Sequence, residues 1–134
     1  MFQFKRRINF YDCDPAGILF YGRIYEICHE AYEAMIESFN LRESYWINEN
    51  FIVPIIHSEA KYRKPLRAGE TIEIEITVTI LKESSFELTY LFKNSKGEIT
   101  NNVRTVHVFV NKADWKKMKI TDEIKEGLFN HFVE

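Results

Sequence analysis

Hydrophobic and polar positions alternate with two different periods along the chain, and the change of period predicts its elements. Residues 2–10 alternate apolar and polar, with Arg6 as a polar intrusion on the apolar face, which predicts a half-buried strand. From Ile18 to Phe39, apolar residues recur at steps of three and four without an internal proline, which predicts a long amphipathic helix.

The chain from Val53 to Val110 has the period of two that is typical of strands. Its cleanest stretch is Thr71–Ile80, in which five β-branched residues are predicted to face a core: Ile72, Ile74, Ile76, Val78 and Ile80. Turn residues separate three further strands, at 55–64, 85–92 and 103–110. Residues 41–50 are predicted to be a loop or short helix, and residues 121–132 a short amphipathic helix.

This order predicts a two-layer α+β domain over residues 1–134, with one long helix packed on a five-stranded antiparallel sheet. The four strands after the helix are expected to form a meander. An open sheet of this kind leaves edge strands, so pairing between the edges of two copies is a reasonable expectation.

Composition and charge remove several classes of function. The net charge of −2 carries no basic excess, so a nucleic-acid partner is not expected. No apolar run approaches the ~18 residues that span a bilayer, and no secretory signal is evident. Two cysteines, Cys13 and Cys28, do not make a disulfide framework, which favours a reducing, cytoplasmic location.

Candidate chemistry is concentrated between the first strand and the helix, where Asp12, Asp14 and Gly17 lie in a loop. Backbone N–H groups at a helix start can polarise a carbonyl, and a carboxylate beside them can act as nucleophile or general base. Gly17 would let a substrate approach the backbone. The alternative is that both aspartates only cap the turn and the helix.

The run Asp12-Cys-Asp-Pro-Ala-Gly-Ile, followed by Leu-Phe-Tyr21, resembles the active-site signature of the 4-hydroxybenzoyl-CoA thioesterase family. That family includes the acyl-CoA thioesterases associated with the Tol-Pal envelope system. The resemblance implies a hotdog fold, in which the sheet wraps around the helix. It also implies Asp14 as the catalytic carboxylate, either nucleophile or general base, and the backbone N–H of Tyr21 as the group that polarises the thioester carbonyl.

The same resemblance implies an acyl-CoA or acyl carrier protein substrate, no cofactor and no metal. It also implies a homodimer, expected to assemble into a homotetramer. Gly17 and Ile18 would contact the substrate in the signature loop. His57, Lys64, Arg67 and Lys82 are weaker candidates for substrate contacts. Two positions depart from the family pattern: Ile24 replaces a frequent tyrosine and His29 a frequent carboxylate.

Three other functions remain open. The first is a hotdog protein that binds acyl-CoA without catalysis. The second is a metal-dependent phosphotransferase built on Asp12 and Asp14, but that motif follows a buried parallel strand, whereas residues 5–11 are amphipathic. The third, a hotdog hydratase, lacks a recognisable Asp/His motif.

Overall fold

A five-stranded antiparallel sheet covers one long helix in the computed structural model, which describes residues 1–133. Within that range the helices are α1 (Ile24–Glu37) and α2 (Asp122–Phe129). The strands are β1 (Phe2–Arg7), β2 (Phe51–Ile52), β3 (Ile55–Tyr62), β4 (Thr71–Leu81), β5 (Ser85–Lys93), β6 (Ile99–Val108) and β7 (Val110–Asn111). The predicted α+β hotdog architecture is confirmed.

The order of strands in the sheet is β1-β4-β5-β6-β3, and β2 pairs with β7 in a separate ribbon. The predicted four-strand meander is therefore wrong for β3, which lies beside β6 and not beside β4. A long connection carries the chain from β3 at one edge, past the loop at residues 14–19, to β4 near the other edge. As a consequence β1 and β3 form the two edges of the sheet.

Helix α1 buries one stripe of side chains against the sheet. Its buried residues are Ile24, Ile27, Cys28, Ala31, Tyr32, Met35 and Ile36. The facing positions of β4 and β5 include Ile72, Ile74, Ile76, Val78, Phe86, Leu88, Tyr90 and Phe92. Burying each large apolar side chain contributes about 1.5–3 kcal/mol, so this interface is the main source of stability.

Two residues predicted to face the core are exposed. Ile80 is exposed because a β-bulge shifts the register between Val78 and Ile80. Its side chain therefore points to the opposite face of the sheet from Val78. Phe10 is exposed because the alternation of β1 ends at Arg7, and a 3₁₀ turn at Phe10–Asp12 follows. Alternation alone does not reveal either change of direction.

The C-terminal segment closes the sheet beside β4. Helix α2 confirms the predicted short helix, and the residues after it hydrogen-bond to Val78, whose N–H donates to the His131 carbonyl at 2.9 Å. Gly127 lies against the Phe39 ring. Among the helices of residues 1–133, none has the length and apolarity needed to cross a membrane.

Candidate active site

The loop that carries Asp14 is held in a hairpin-like shape by backbone hydrogen bonds. The Phe20 N–H donates to the Asp12 carbonyl at 3.0 Å, and the Asp14 N–H donates to the Ile18 carbonyl at 2.9 Å. The Gly17 N–H closes the turn on the Asp14 carbonyl at 2.9 Å, with φ of 76° at Gly17. This left-handed conformation favours glycine, and the five bonded positions fix where Asp14 lies.

Asp14 itself is half-buried. Its Oδ1 accepts the Ala16 N–H at 2.9 Å, as expected for an aspartate that begins a turn. Within residues 1–133 no Lys, Arg or His forms an ion pair with it. One carboxylate oxygen therefore supports the loop, while the other accepts no hydrogen bond from residues 1–133.

Asp12 plays a different part, because it is buried and paired. Arg6 donates from Nη1 to Asp12 Oδ2 at 2.7 Å and from Nη2 to Oδ1 at 3.2 Å. The Asn9 N–H donates to the same carboxylate at 2.9 Å. Hydrogen bonding from Arg6 holds the pKa of Asp12 below its usual value. Asp12 thus anchors the loop to β1, and the polar intrusion at Arg6 is explained by this pair.

The helix begins later than the sequence predicts. Residues 18–20 are extended: Ile18 bridges to Arg67, and the Leu19 N–H donates to the Leu66 carbonyl at 2.8 Å. A 3₁₀ turn at Tyr21–Arg23 then leads into α1 at Ile24. Asp14 is consequently separated from the helix start by an extended segment, and the donors at that end are those of the 3₁₀ turn.

Tyr21 occupies the junction between this extended segment and the helix. Its carbonyl accepts the Ile24 N–H and the Tyr62 hydroxyl, the latter at 2.8 Å. Among residues 1–133, the N–H groups of Tyr21 and Gly22 have no acceptor. Unpaired N–H groups at the first turn of a helix can bind a carbonyl oxygen. The Tyr62 hydroxyl, which β3 contributes, fixes the orientation of this turn.

A pocket of about 250 Å³ lies between α1 and the strands β3, β5 and β6, and we call it the helix pocket. Its lining includes Tyr25, Cys28, His29, Ser58, Tyr90 and Thr105. Aliphatic and aromatic surface predominates, and the hydroxyls of Tyr90 and Thr105 are the polar groups contributed by β5 and β6. A pocket with this lining suits an aromatic group that carries a polar substituent.

A buried chain of hydrogen bonds continues below the helix pocket. The Thr105 Oγ1 lies 3.0 Å from the Tyr90 hydroxyl and 2.7 Å from His107 Nε2. Nδ1 of His107 has no partner within residues 1–133, and burial lowers the pKa of this imidazole to about 3, so it is neutral.

The polarity of this chain follows from the unpaired Nδ1. A buried N–H without an acceptor is rarer than an unpaired lone pair, so we assign the proton of His107 to Nε2. Nε2–H then donates to Thr105 Oγ1, and the bond between the Thr105 and Tyr90 hydroxyls uses only one of their two protons. The other O–H is left to donate into the helix pocket, which both residues line.

The predicted site residues are only partly brought together within one chain. Gly17 and Ile18 lie in the Asp14 loop, Arg67 is paired with Ile18 across it, and Lys64 lies nearby in an ion pair with Glu98. His57 and Lys82 are elsewhere. The His57 side chain is exposed beside Glu59, on the sheet face opposite Ser58. Lys82 follows the C-terminal end of β4. The loop that carries Asp14 lies near the opposite end of this strand, which begins at residue 71.

The other chemistries considered from sequence have little support here. The strand before Asp12 and Asp14 is an antiparallel edge strand, not the buried parallel strand that a phosphotransferase of that type requires. Within the described chain, no cluster of three His, Cys, Asp or Glu side chains could hold a metal ion.

Comparison with known proteins places the chain in a family. The sequence model of the Thioesterase-like superfamily matches residues 8–128, and the chain belongs to that superfamily. It is 35% identical over 132 residues to the 1,4-dihydroxy-2-naphthoyl-CoA hydrolase of Gloeothece citriformis, covering 96% of this chain and 92% of that protein. The corresponding hydrolase of Trichodesmium erythraeum is 29% identical and covered to 96% on both sides.

Solved structures agree on the fold. A 1,4-dihydroxy-2-naphthoyl-CoA thioesterase from Synechocystis superposes with a TM-score of 0.89 at 22% identity, covering 96% of each chain. A gentisyl-coenzyme A thioesterase superposes with a TM-score of 0.82 at 23% identity, covering 94% and 98%. The predicted hotdog fold and the predicted enzyme class, a thioester hydrolase, are confirmed. The specific resemblance to 4-hydroxybenzoyl-CoA thioesterases is confirmed only at the level of the superfamily.

Proposed function

We propose that this protein hydrolyses an aromatic acyl-CoA thioester, with Asp14 as the catalytic carboxylate and the Tyr21 N–H as the donor to the thioester carbonyl. One observation carries this proposal. Residues 12–22 form one short segment held by backbone hydrogen bonds, and it carries both groups that the chemistry needs. Within residues 1–133 the Asp14 carboxylate has no cationic partner and the Tyr21 N–H has no acceptor. Hydrolysis of a thioester needs a nucleophile or base at the carbonyl carbon and a donor at the carbonyl oxygen, so both groups must reach the same substrate.

Either of two routes fits this arrangement. In the first, an Asp14 carboxylate oxygen attacks the thioester carbon, the C–S bond breaks, and CoA leaves as a thiolate that is then protonated. Water hydrolyses the resulting anhydride, which restores the carboxylate. In the second, Asp14 removes a proton from a water molecule, which attacks the carbonyl directly. In both, negative charge develops on the carbonyl oxygen, where the Tyr21 N–H stabilises it.

The helix pocket is proposed to hold the acyl group. It follows α1 from Tyr25 onward, one turn beyond Tyr21, so a carbonyl at the Tyr21 N–H would direct its acyl part along the helix. The relatives named above act on acyl groups with hydroxylated aromatic rings. We assign the free hydroxyl proton of the pocket wall to Tyr90, whose O–H would donate to an oxygen substituent of such a ring. We therefore propose a hydroxylated aromatic acyl-CoA, of the 1,4-dihydroxy-2-naphthoyl type, as substrate.

A homodimer joined along β3 is proposed as the active form. This strand is a sheet edge, and its first four residues, 55–58, are exposed. Exposed Ile55 and Ile56 supply apolar surface there, and an edge of this kind favours pairing with another strand. Further pairing of dimers into a homotetramer is proposed because the resemblance to the 4-hydroxybenzoyl-CoA thioesterase family implies it. An acyl carrier protein conjugate stays a second possible substrate. A cytoplasmic location is proposed because Cys13 and Cys28 are both free thiols.

The alternative is a hotdog protein that binds acyl-CoA without hydrolysing it. A panel of aromatic and aliphatic acyl-CoA thioesters, assayed by release of free thiol, separates the two. The proposal expects hydrolysis of hydroxylated aromatic thioesters by the natural chain and its loss in Asp14→Asn, with binding retained. Binding without thiol release by the natural chain would establish the alternative.

A further inference from the structure

Asn101 is a buried amide that the proposed chemistry does not use. It lies on β6 opposite Tyr62 and is only 2% exposed. Its Oδ1 has no hydrogen-bond partner within residues 1–133. Buried side-chain amides are nearly always hydrogen-bonded, so a group left unpaired in the free protein needs an explanation.

The amide lines a cavity of about 290 Å³ that is distinct from the helix pocket, and we call it the loop cavity. Its other walls include Ile18, Leu19, Tyr62, Pro65 and Leu66. These are apolar apart from the Tyr62 hydroxyl, which is already committed to the Tyr21 carbonyl. Asn101 is thus the neutral polar side chain of the cavity wall, and a turn of its buried amide about the Cβ–Cγ bond would present it to a ligand.

The two charged residues of the lining, Arg63 and Lys64, already have side-chain partners. Lys64 is paired with Glu98, and Arg63 donates from Nε to Asn102 Oδ1 at 2.7 Å on the opposite face of the sheet. A side-chain carboxamide presents one acceptor and two donors. Its natural complement is another amide, which presents one N–H and one C=O.

Position relates the loop cavity to the thioester. Tyr62 lines the cavity and binds the Tyr21 carbonyl, and Ile18 and Leu19 belong to the segment between Asp14 and Tyr21. A thioester bound at the Tyr21 N–H extends in two directions, the acyl group and the thiol arm. With the acyl group in the helix pocket, the loop cavity, which Tyr62 connects to Tyr21, would take the thiol arm. In CoA and in carrier-protein conjugates alike, the thiol arm is two methylenes followed by an amide.

We propose that the loop cavity binds the thiol arm of the substrate and that Asn101 hydrogen-bonds the first amide beyond the sulfur. This inference rests on the proposed thioesterase function and assigns the arm-binding residue of the same site. The methylenes lie against Ile18 and Leu19, and the amide of the arm satisfies the unpaired Asn101. Recognition of this amide distinguishes a pantetheine thioester from a simple alkyl thioester.

Three thioesters of one aromatic acid test the proposal: the CoA thioester, the N-acetylcysteamine thioester, which keeps only the first amide, and the S-ethyl thioester, which has none. In Asn101→Leu, kcat/KM is expected to fall by roughly 10- to 100-fold for the first two, chiefly through KM, and to stay within about twofold for the third. Asn102→Leu, whose side chain points to the other face, is the matched control and leaves the order of the three unchanged.

An equal loss on all three thioesters, no loss on any, or a loss on the CoA thioester alone would overturn the assignment. The ratio of kcat/KM between two substrates does not depend on the folded fraction, and Asn101→Ser serves as a second variant if leucine disturbs β6. Nuclear magnetic resonance gives a readout independent of catalysis. Titration with N-acetylcysteamine should shift the side-chain amide signal that is missing in Asn101→Leu. If the Asn101 amide signal does not shift, the proposal is contradicted. If it shifts but the natural chain hydrolyses none of the thioesters, the cavity binds the arm and the proposed thioesterase function is wrong.

Discussion

The guanidinium of Arg6 holds the carboxylate of Asp12 through two hydrogen bonds, of 2.7 and 3.2 Å, and so fastens the active-site loop to strand β1. Arg6 alternates with the outward residues of β1 and Asp12 is buried in the turn that follows, so an unpaired charge on either would be costly. This pair is the difference between the two aspartates of the loop. Asp12 is paired with Arg6, whereas Asp14 forms no ion pair within residues 1–133.

Removing the charge of Asp12 is expected to destabilise the fold. Asp12→Asn leaves Arg6 without its buried partner, at a cost of about 3 kcal/mol in the free energy of unfolding. Urea unfolding followed by circular dichroism measures this. Glu30→Gln is the control: Glu30 also pairs with Arg6 but is exposed, and its loss should cost less than about 1 kcal/mol. Equal costs for the two variants would contradict the proposed anchor.

The same pair predicts how stability depends on pH. The pKa of Asp12 is lowered in the folded chain, so at acid pH the unfolded chain, with an ordinary pKa of ~3.9, binds more protons. The stabilisation is therefore present above about pH 4 and is lost as pH falls through the folded pKa. Asp12→Asn should flatten the acid side of the stability curve. A variant with the same acid dependence as the natural chain would exclude Asp12 as its source.

Tyr90 is expected to select the acyl group. Tyr90→Phe removes the donor to a ring oxygen, so kcat/KM should fall by roughly 10- to 100-fold for a hydroxybenzoyl-CoA substrate. It should change little for benzoyl-CoA. Tyr45→Phe removes a buried hydroxyl that bonds Tyr32 outside the helix pocket, and should leave the preference intact. An equal effect of Tyr90→Phe on both substrates would refute the selective role.

Dimerisation through β3 is expected to be required for activity. Ile56 is 63% exposed on this edge, and Ile56→Asp places a charge where the proposal puts a second strand. Sedimentation at several concentrations should show a shift towards monomer, with a parallel loss of thiol release. A monomeric variant with full activity would show that one chain holds a complete site.

Packing between α2 and α1's C-terminal end is expected to depend on Gly127. A Cβ at this position would lie 2.5 Å from the Phe39 ring, so Gly127→Ala should lower the free energy of unfolding by about 1–3 kcal/mol. A glycine-to-alanine change in an uncrowded helix stabilises instead. Glu126→Ala, at an exposed neighbour, should stay within about 0.5 kcal/mol. A stabilised Gly127→Ala would mean that Phe39 moves away freely.

The fold could be predicted from sequence because its main signals are local. The isoleucines of β4 alternate, and the apolar stripe of α1 recurs at helical steps. The position of β3 beside β6 could not be predicted in this way, since adjacency of distant strands leaves no local pattern. Alternation predicts the wrong face for Ile80, because a β-bulge reverses the direction of its side chain without any change in the residue pattern.

The site could be predicted only in part. The loop with Asp14, Gly17 and Ile18 is contiguous, so its residues are visible as a motif. The roles proposed for Tyr62, Tyr90 and Asn101 involve three different strands. They depend on the register of the sheet, which local sequence patterns do not reveal. The extended form of residues 18–20 also depends on a remote partner, the Leu66 carbonyl, and this is why the helix was predicted to begin too early.

The most direct test of the account is the rate of thiol release from a hydroxylated aromatic acyl-CoA by Asp14→Asn, with substrate binding and thermal stability measured on the same preparation. We predict that kcat falls at least about 100-fold, while binding and folding persist, because Asp14 has no ion-pair partner among residues 1–133 whose loss would disturb the structure. A correctly folded Asp14→Asn chain that hydrolyses the thioester at the natural rate would contradict the assignment of this carboxylate.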